Sequence, residues 1–96
     1  MSKIHIKGRI LQLINEAPKG IWDYEVAEKI LLEYGLNGAY WKGTVRVTLT
    51  DLFSSGLIDS LEEKLDEGQH FGPDKVLFKF RMTDFGVSRL VDTHLI

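Results

Sequence analysis

At 96 residues the chain has room for one domain with a modest core. It is 44% apolar and 27% charged, and it has no cysteine, which excludes a disulfide scaffold and a cysteine-ligated zinc site. The formal charge of −2 supplies no overall pull toward nucleic acid, but the charge is segregated: Lys3, Lys7, Arg9 and Lys19 face only Glu16 in residues 1–22, whereas Asp59, Glu62, Glu63, Asp66, Glu67 and Asp74 face only Lys64 in residues 57–74.

From the start, Lys3 to Glu16 reads as a helix, because Ile6, Ile10, Leu13, Ile14 and Ala17 keep the 3.6-residue period. Ala-Pro-Lys-Gly at 17–20 ends it, and Ile21-Trp22 reads as a short extended piece that adds a third strand to a small sheet. Asp23 is an expected N-cap for a second helix, with Glu25 in its first turn and Ala27, Ile30, Leu31 and Tyr34 as its buried stripe. Gly35-Leu36 predicts a Schellman stop, and Asn37-Gly38 a turn. No apolar run approaches the ~18 residues of a membrane span. The opening MSKIHIKGRI lacks the apolar core of a signal peptide, so a cytoplasmic protein is expected.

The third helix, about 39–55, organises the rest. Val45, Leu49, Leu52 and Phe53 fall on one face, and Tyr40, Trp41, Lys42, Thr44, Val47 and Asp51 on the other, with Arg46 at the border. A greasy back with aromatics, bases and a threonine on the first turns is how a recognition helix is built. Gly56 is its expected C′ residue. Leu57 to Leu65 then reads as a strand and Asp66 to Asp74 as turn chemistry. Lys75 to Met82 reads as a second strand, with Val76, Phe78, Phe80 and Met82 on one face and Lys75, Leu77, Lys79 and Arg81 on the other. Thr83 is expected to cap a last helix, with Val87, Leu90, Val91 and His94 in register. This order predicts an α+β winged helix-turn-helix: three helices, a β-hairpin wing and a C-terminal helix, as one domain over 1–96.

Residues 43–58, GTVRVTLTDLFSSGLI, resemble the third helix and following strand of PadR-like winged-helix regulators, matching at Gly43, Thr44, Leu49, Leu52, Gly56, Leu57 and Ile58. Phe80 to Gly86, FRMTDFG, is similar to that family's motif closing the wing and opening the last helix. MarR-like proteins share both patterns more loosely. The resemblance implies a homodimeric transcription regulator, joined largely through its C-terminal helix. Two features depart from the family: Arg46 stands where a tyrosine is usual, and the C-terminal helix is short.

The expected DNA contacts are Tyr40, Trp41, Lys42, Thr44, Arg46 and Val47, with Lys7, His70 and Lys75 on phosphates. Against this, Tyr40 and Trp41 have a bland reading as anchors of the helix-helix turn, and Lys3, Lys7 and Arg9 one as a solvated face. The expected dimer seam is Ile4, Ile6, Val87, Leu90, Val91, His94 and Leu95, with Ile96 beside it. An acidic wing argues for the alternative, a module that binds protein rather than DNA. Its bland reading is cross-strand pairing of Glu62 and Glu63 with Lys79 or Arg81. His5, His70 and His94 have no ligand spacing, and no nucleophile or nucleotide-binding motif occurs, so neither catalysis nor a cofactor is expected, and no small-molecule effector is indicated.

Overall fold

A computed structural model describes residues 5–95; the expectations resting on Lys3, Ile4 and Ile96 lie outside them. In chain order the elements are α1 (Ile6–Asn15), β1 (Ile21–Trp22), α2 (Asp23–Tyr34), α3 (Ala39–Ser54), β2 (Ile58–Glu67), β3 (Pro73–Met82) and α4 (Asp84–Asp92). The strands form one antiparallel sheet in the order β1-β3-β2, so the wing hairpin is joined on its inner side by the short strand before α2. Ile21 stands opposite Phe80 and Ile58 opposite Met82. This is the winged helix-turn-helix that the element order predicts.

The core forms where the apolar stripes of the helices meet the sheet. Ile10 and Ile14 of α1, Val26 and Ile30 of α2, Val45, Leu49 and Leu52 of α3, and Leu90 of α4 converge on Ile58 and Phe80. Burying such a side chain stabilises by about 1.5–3 kcal/mol, so these residues hold the helices in place around the hairpin base. Arg9 clamps α1 to α2, donating through Nε and Nη2 to the two carboxylate oxygens of Glu33 at 2.8 and 3.1 Å.

Two helix stops fix how α2 passes to α3 and α3 to the wing. Leu36 donates to Leu31 O and Gly35 to Leu32 O, and the same pair of bonds recurs as Leu57 to Leu52 O and Gly56 to Phe53 O. Gly56 has φ +78°, a conformation that costs any residue with a Cβ, and it turns the chain from α3 directly into β2. The junction of β3 and α4 explains the Thr-x-x-Gly pattern. Thr83 Oγ1 donates to Gly56 O (2.6 Å) and Leu57 O (3.1 Å), and accepts from Gly86 N at 2.9 Å. Gly86 is buried against the Leu57 carbonyl, leaving no space for a Cβ.

Several local expectations need correction. The first helix opens at Ile6, where His5 Nδ1 accepts from Lys7 N, rather than at Lys3. Asp23 is the first residue of α2 and not its cap: the cap is Trp22, whose N–H donates to the Glu25 carboxylate at 3.1 Å. Asp23 instead is buried and accepts from Phe78 N (3.1 Å) and Tyr24 N (2.8 Å), tying α2 to the central strand. Burial pushes its pKa up, against those two bonds and the nearby charges of Arg46 and His70. Leu77, grouped by alternation with the exposed bases, is buried, and Phe53 of the core-facing stripe is 46% exposed. Bulges between Ser60 and Glu62 and between Leu65 and Glu67 break the alternation of β2. Both strands run closer to the tip than expected, leaving residues 68–72 as the loop. His94 lies beyond the end of α4, in a left-handed conformation at φ +59°.

Candidate nucleic-acid interface

Helical geometry splits the expected contacts of α3 into two groups. Lys42 and Arg46 are one turn apart on the flank that faces the wing loop, where they line a cleft of about 280 Å³ with Gly38, Ala39, Gly43, His70 and Phe71. Lys42 Nζ donates to His70 O at 3.4 Å, and the Arg46 guanidinium lies 4.9 Å from the centre of the Phe71 ring. Gly38 caps α3 without a side chain, so the opening amides of the helix add positive potential at the same cleft.

The outward stripe is different in kind. Tyr40 is 74% and Val47 62% exposed, with Gly43, Thr50, Asp51 and Ser54 also exposed. The Thr44 and Thr50 hydroxyls donate to Tyr40 O and Arg46 O, each at 3.0 Å. Trp41 is half-buried and meets Tyr40 edge-on at 5.1 Å between ring centres.

The wing loop that completes the cleft is built on Asp66. Its carboxylate is almost fully buried and accepts from the backbone N–H groups of Gly68, Gln69, His70, Phe71 and Gly72 at 2.6–3.3 Å. Burial alone would raise its pKa, but the amides of Gly72, Phe71, Gly68 and His70 outweigh that and hold it far below the usual carboxylate range. The loop is then clipped to the body: the His70 ring stacks on Tyr24 at 3.7 Å, and Tyr24 lies nearly parallel to Trp22. Lys64 Nζ sits 4.4 Å from the centre of the Trp22 ring.

The acidic wing therefore presents fewer unengaged carboxylates than its sequence suggests. Asp66 is consumed inside the loop, Glu62 pairs with Lys79 at 3.2 Å, and Asp59 approaches Arg81 at 3.9 Å. Glu63, Glu67 and Asp74 remain exposed on the hairpin.

Of the residues expected at DNA, the structure brings Lys42, Arg46 and His70 together, with Tyr40, Thr44 and Val47 on the adjacent stripe. Lys7 and Lys75 are exposed but do not line the cleft. Arg9, weighed as part of a phosphate clamp, is engaged with Glu33 and with Glu16 at 3.6 Å. Sequence reading missed Asp66 as a structural residue, and Tyr24 and Phe71 as the loop's two aromatic supports. The signal was an aspartate opening a glycine-rich loop, which predicts side-chain-to-backbone bonding.

Part of the expected dimer seam packs within the chain. Leu90 is fully buried, Ile6 and Leu95 pack on the core, and Gln12 Nε2 donates to Leu95 O at 2.7 Å. Val87 lines a hollow of about 510 Å³ between the end of α1, the wing base and the start of α4. Val91 is 54% exposed, and so is Phe85, at 56%, which the sequence did not single out. Among the described residues no group of three or more His, Asp or Glu side chains could hold a metal ion, and no helix is long and apolar enough to cross a membrane.

No protein-family model and no curated protein matches the chain. Solved structures do match. RosR of H. salinarum superposes with a TM-score of 0.68 at 20% identity, over 96% of this chain and 71% of that one. A PadR-like transcriptional regulator from Bacillus cereus superposes with a TM-score of 0.66, also at 20% identity, over 94% of this chain and 78% of its own. Nearly the whole chain thus shares the fold of a PadR-like regulator.

Proposed function

We propose that this chain is a PadR-like transcription regulator of the cytoplasm that binds double-stranded DNA as a homodimer, with α3 in the major groove. The observation that carries the reading is the convergence of Lys42, Arg46 and His70 on one cleft between the first turns of α3 and the wing loop. With α3 lying in the groove, a cleft on its flank meets the sugar-phosphate wall, so these bases position the helix while the outward stripe faces base edges. The likeness to a transcriptional regulator supports the same reading. The exposed apolar residues of α4, Phe85 and Val91, are the surface we assign to the partner protomer. Two α3 helices so related would meet half-sites about one DNA turn apart.

The test is duplex binding across a salt series, with molar mass measured in parallel. Affinity should fall steeply with salt, because each neutralised phosphate contributes about 0.9 to the slope of log K against log salt. Lys42→Ala should weaken binding to all duplexes alike and lower that slope by about 0.9. Absence of binding at low salt, with the protein folded, would sink the proposal.

A further inference from the structure

On the outward stripe of α3, Val47 is flanked by Gly43 one turn before and Thr50 about one turn after, with Tyr40 and Ser54 toward the two ends. An added Cβ at Gly43 would find nothing within 4 Å, so a groove edge can approach the helix backbone there. The stripe itself carries no lysine or arginine; Lys42 and Arg46 lie along its cleft-side border, where Gly43 belongs to both the stripe and the cleft. Its one charge is Asp51, which as a carboxylate only accepts hydrogen bonds. The Thr44 and Thr50 protons are already donated to backbone carbonyls.

That inventory decides which bases the stripe can read. Guanine presents two acceptors, N7 and O6, to the major groove and calls for a paired donor such as arginine; the middle of this stripe has none to offer. Thymine presents a C5-methyl group, and apolar side chains read it by contact. The Val47 methyls are exposed, and the Thr50 side chain keeps its methyl while its proton is occupied.

We propose that Val47 and Thr50, beside the open backbone of Gly43, form a thymine-methyl-reading surface, so that the half-site under α3 is specified by adjacent thymines rather than by guanine contacts. The proposal rests on the DNA-binding reading above and deepens it. Lys42 and Arg46 then supply affinity that is blind to sequence, and the uncharged stripe supplies the discrimination.

Selection from randomised duplexes, followed by replacement of thymidine with deoxyuridine one position at a time, tests it. Deoxyuridine keeps the base pair and removes only the methyl. Selected half-sites should carry thymines at two or more neighbouring positions, and each uracil there should weaken binding about fourfold, the worth of one buried methylene. The salt slope should be unchanged, because no phosphate contact is touched. Val47→Ala should bind the thymine and uracil duplexes nearly alike at one of these positions, and Thr50→Ser, which keeps the hydroxyl and loses the methyl, at another. Half-sites built on guanine steps, or salt-dependent binding indifferent to uracil, would overturn this inference and leave the DNA reading intact. Failure to bind any duplex at low salt would overturn both.

Discussion

Gly86→Ala is the most demanding test of the fold, because the structure leaves no room for the change to be absorbed locally. The new Cβ would fall on the Leu57 carbonyl, within 2.8 Å of Met82 Cε and 3.0 Å of Leu57 C. The methionine can rotate away, but the backbone of Leu57 is held by its bonds from Thr83 and to Leu52. Relief requires lifting the first turn of α4 away from the start of β2. Overpacking of this kind costs about 1–3 kcal/mol and more where backbone must move. Loss of the Thr83 contacts adds about 1 kcal/mol for each hydrogen bond broken. A total of about 3–5 kcal/mol is a large share of the ~5–15 kcal/mol that holds a small domain folded. Thr83→Ala isolates the second contribution: it should cost about 1–3 kcal/mol, since it removes the cap and leaves the buried Gly86 N–H without its acceptor. Thr83→Ser, which keeps the oxygen, should stay close to wild type. Equilibrium denaturation by guanidinium, read by circular dichroism, measures all three. If Gly86→Ala unfolds at the wild-type midpoint, the close approach of α4 to Leu57 is not what makes this glycine necessary.

Asp66 and Asp23 should respond oppositely to acid. The Asp66 pKa is lowered on folding, so its stabilisation is complete above the unfolded value near ~4 and is lost as pH falls through its folded value. Asp66→Asn should therefore melt lower than wild type at neutral pH, with the gap narrowing in acid. The Asp23 pKa is raised, so its relative contribution is greatest below ~4 and is lost as pH rises through the folded value. Asp23→Asn should accordingly compare best with wild type at neutral pH; thermal melts from pH 3 to 8 check both signs. The Arg9–Glu33 pair is bidentate but partly exposed, and a double-mutant cycle should return about 0.5–1 kcal/mol. Removing the ring that stacks on Tyr24, by His70→Ala, should accelerate amide exchange in residues 68–72 while moving the global melting temperature little; a global loss of several degrees would mean the stack supports the core.

The local order of this protein is written in short-range chemistry. The periods of α1 to α3, the glycine stops at Gly35 and Gly56, and the Thr83 cap all predict their elements, because each depends on residues within a turn or two of itself. Charge and the position of Lys42 and Arg46 on α3 were likewise legible. What could not be read was which flank of α3 would meet another element. Folding the wing loop back, with His70 on Tyr24 and Phe71 against Arg46, turns two surface-looking bases into one wall of a cleft and leaves Val47 and Thr50 as the outward stripe. The same folding converts Asp66 from an apparent repulsion toward phosphate into the staple of its own loop, by gathering five amides that lie two to six residues away. Leu90 and Leu95 looked free for a partner because their period cannot say whether the neighbour is another chain or the chain's own first helix. A helical period marks which face is apolar. Only the assembled core decides what that face touches.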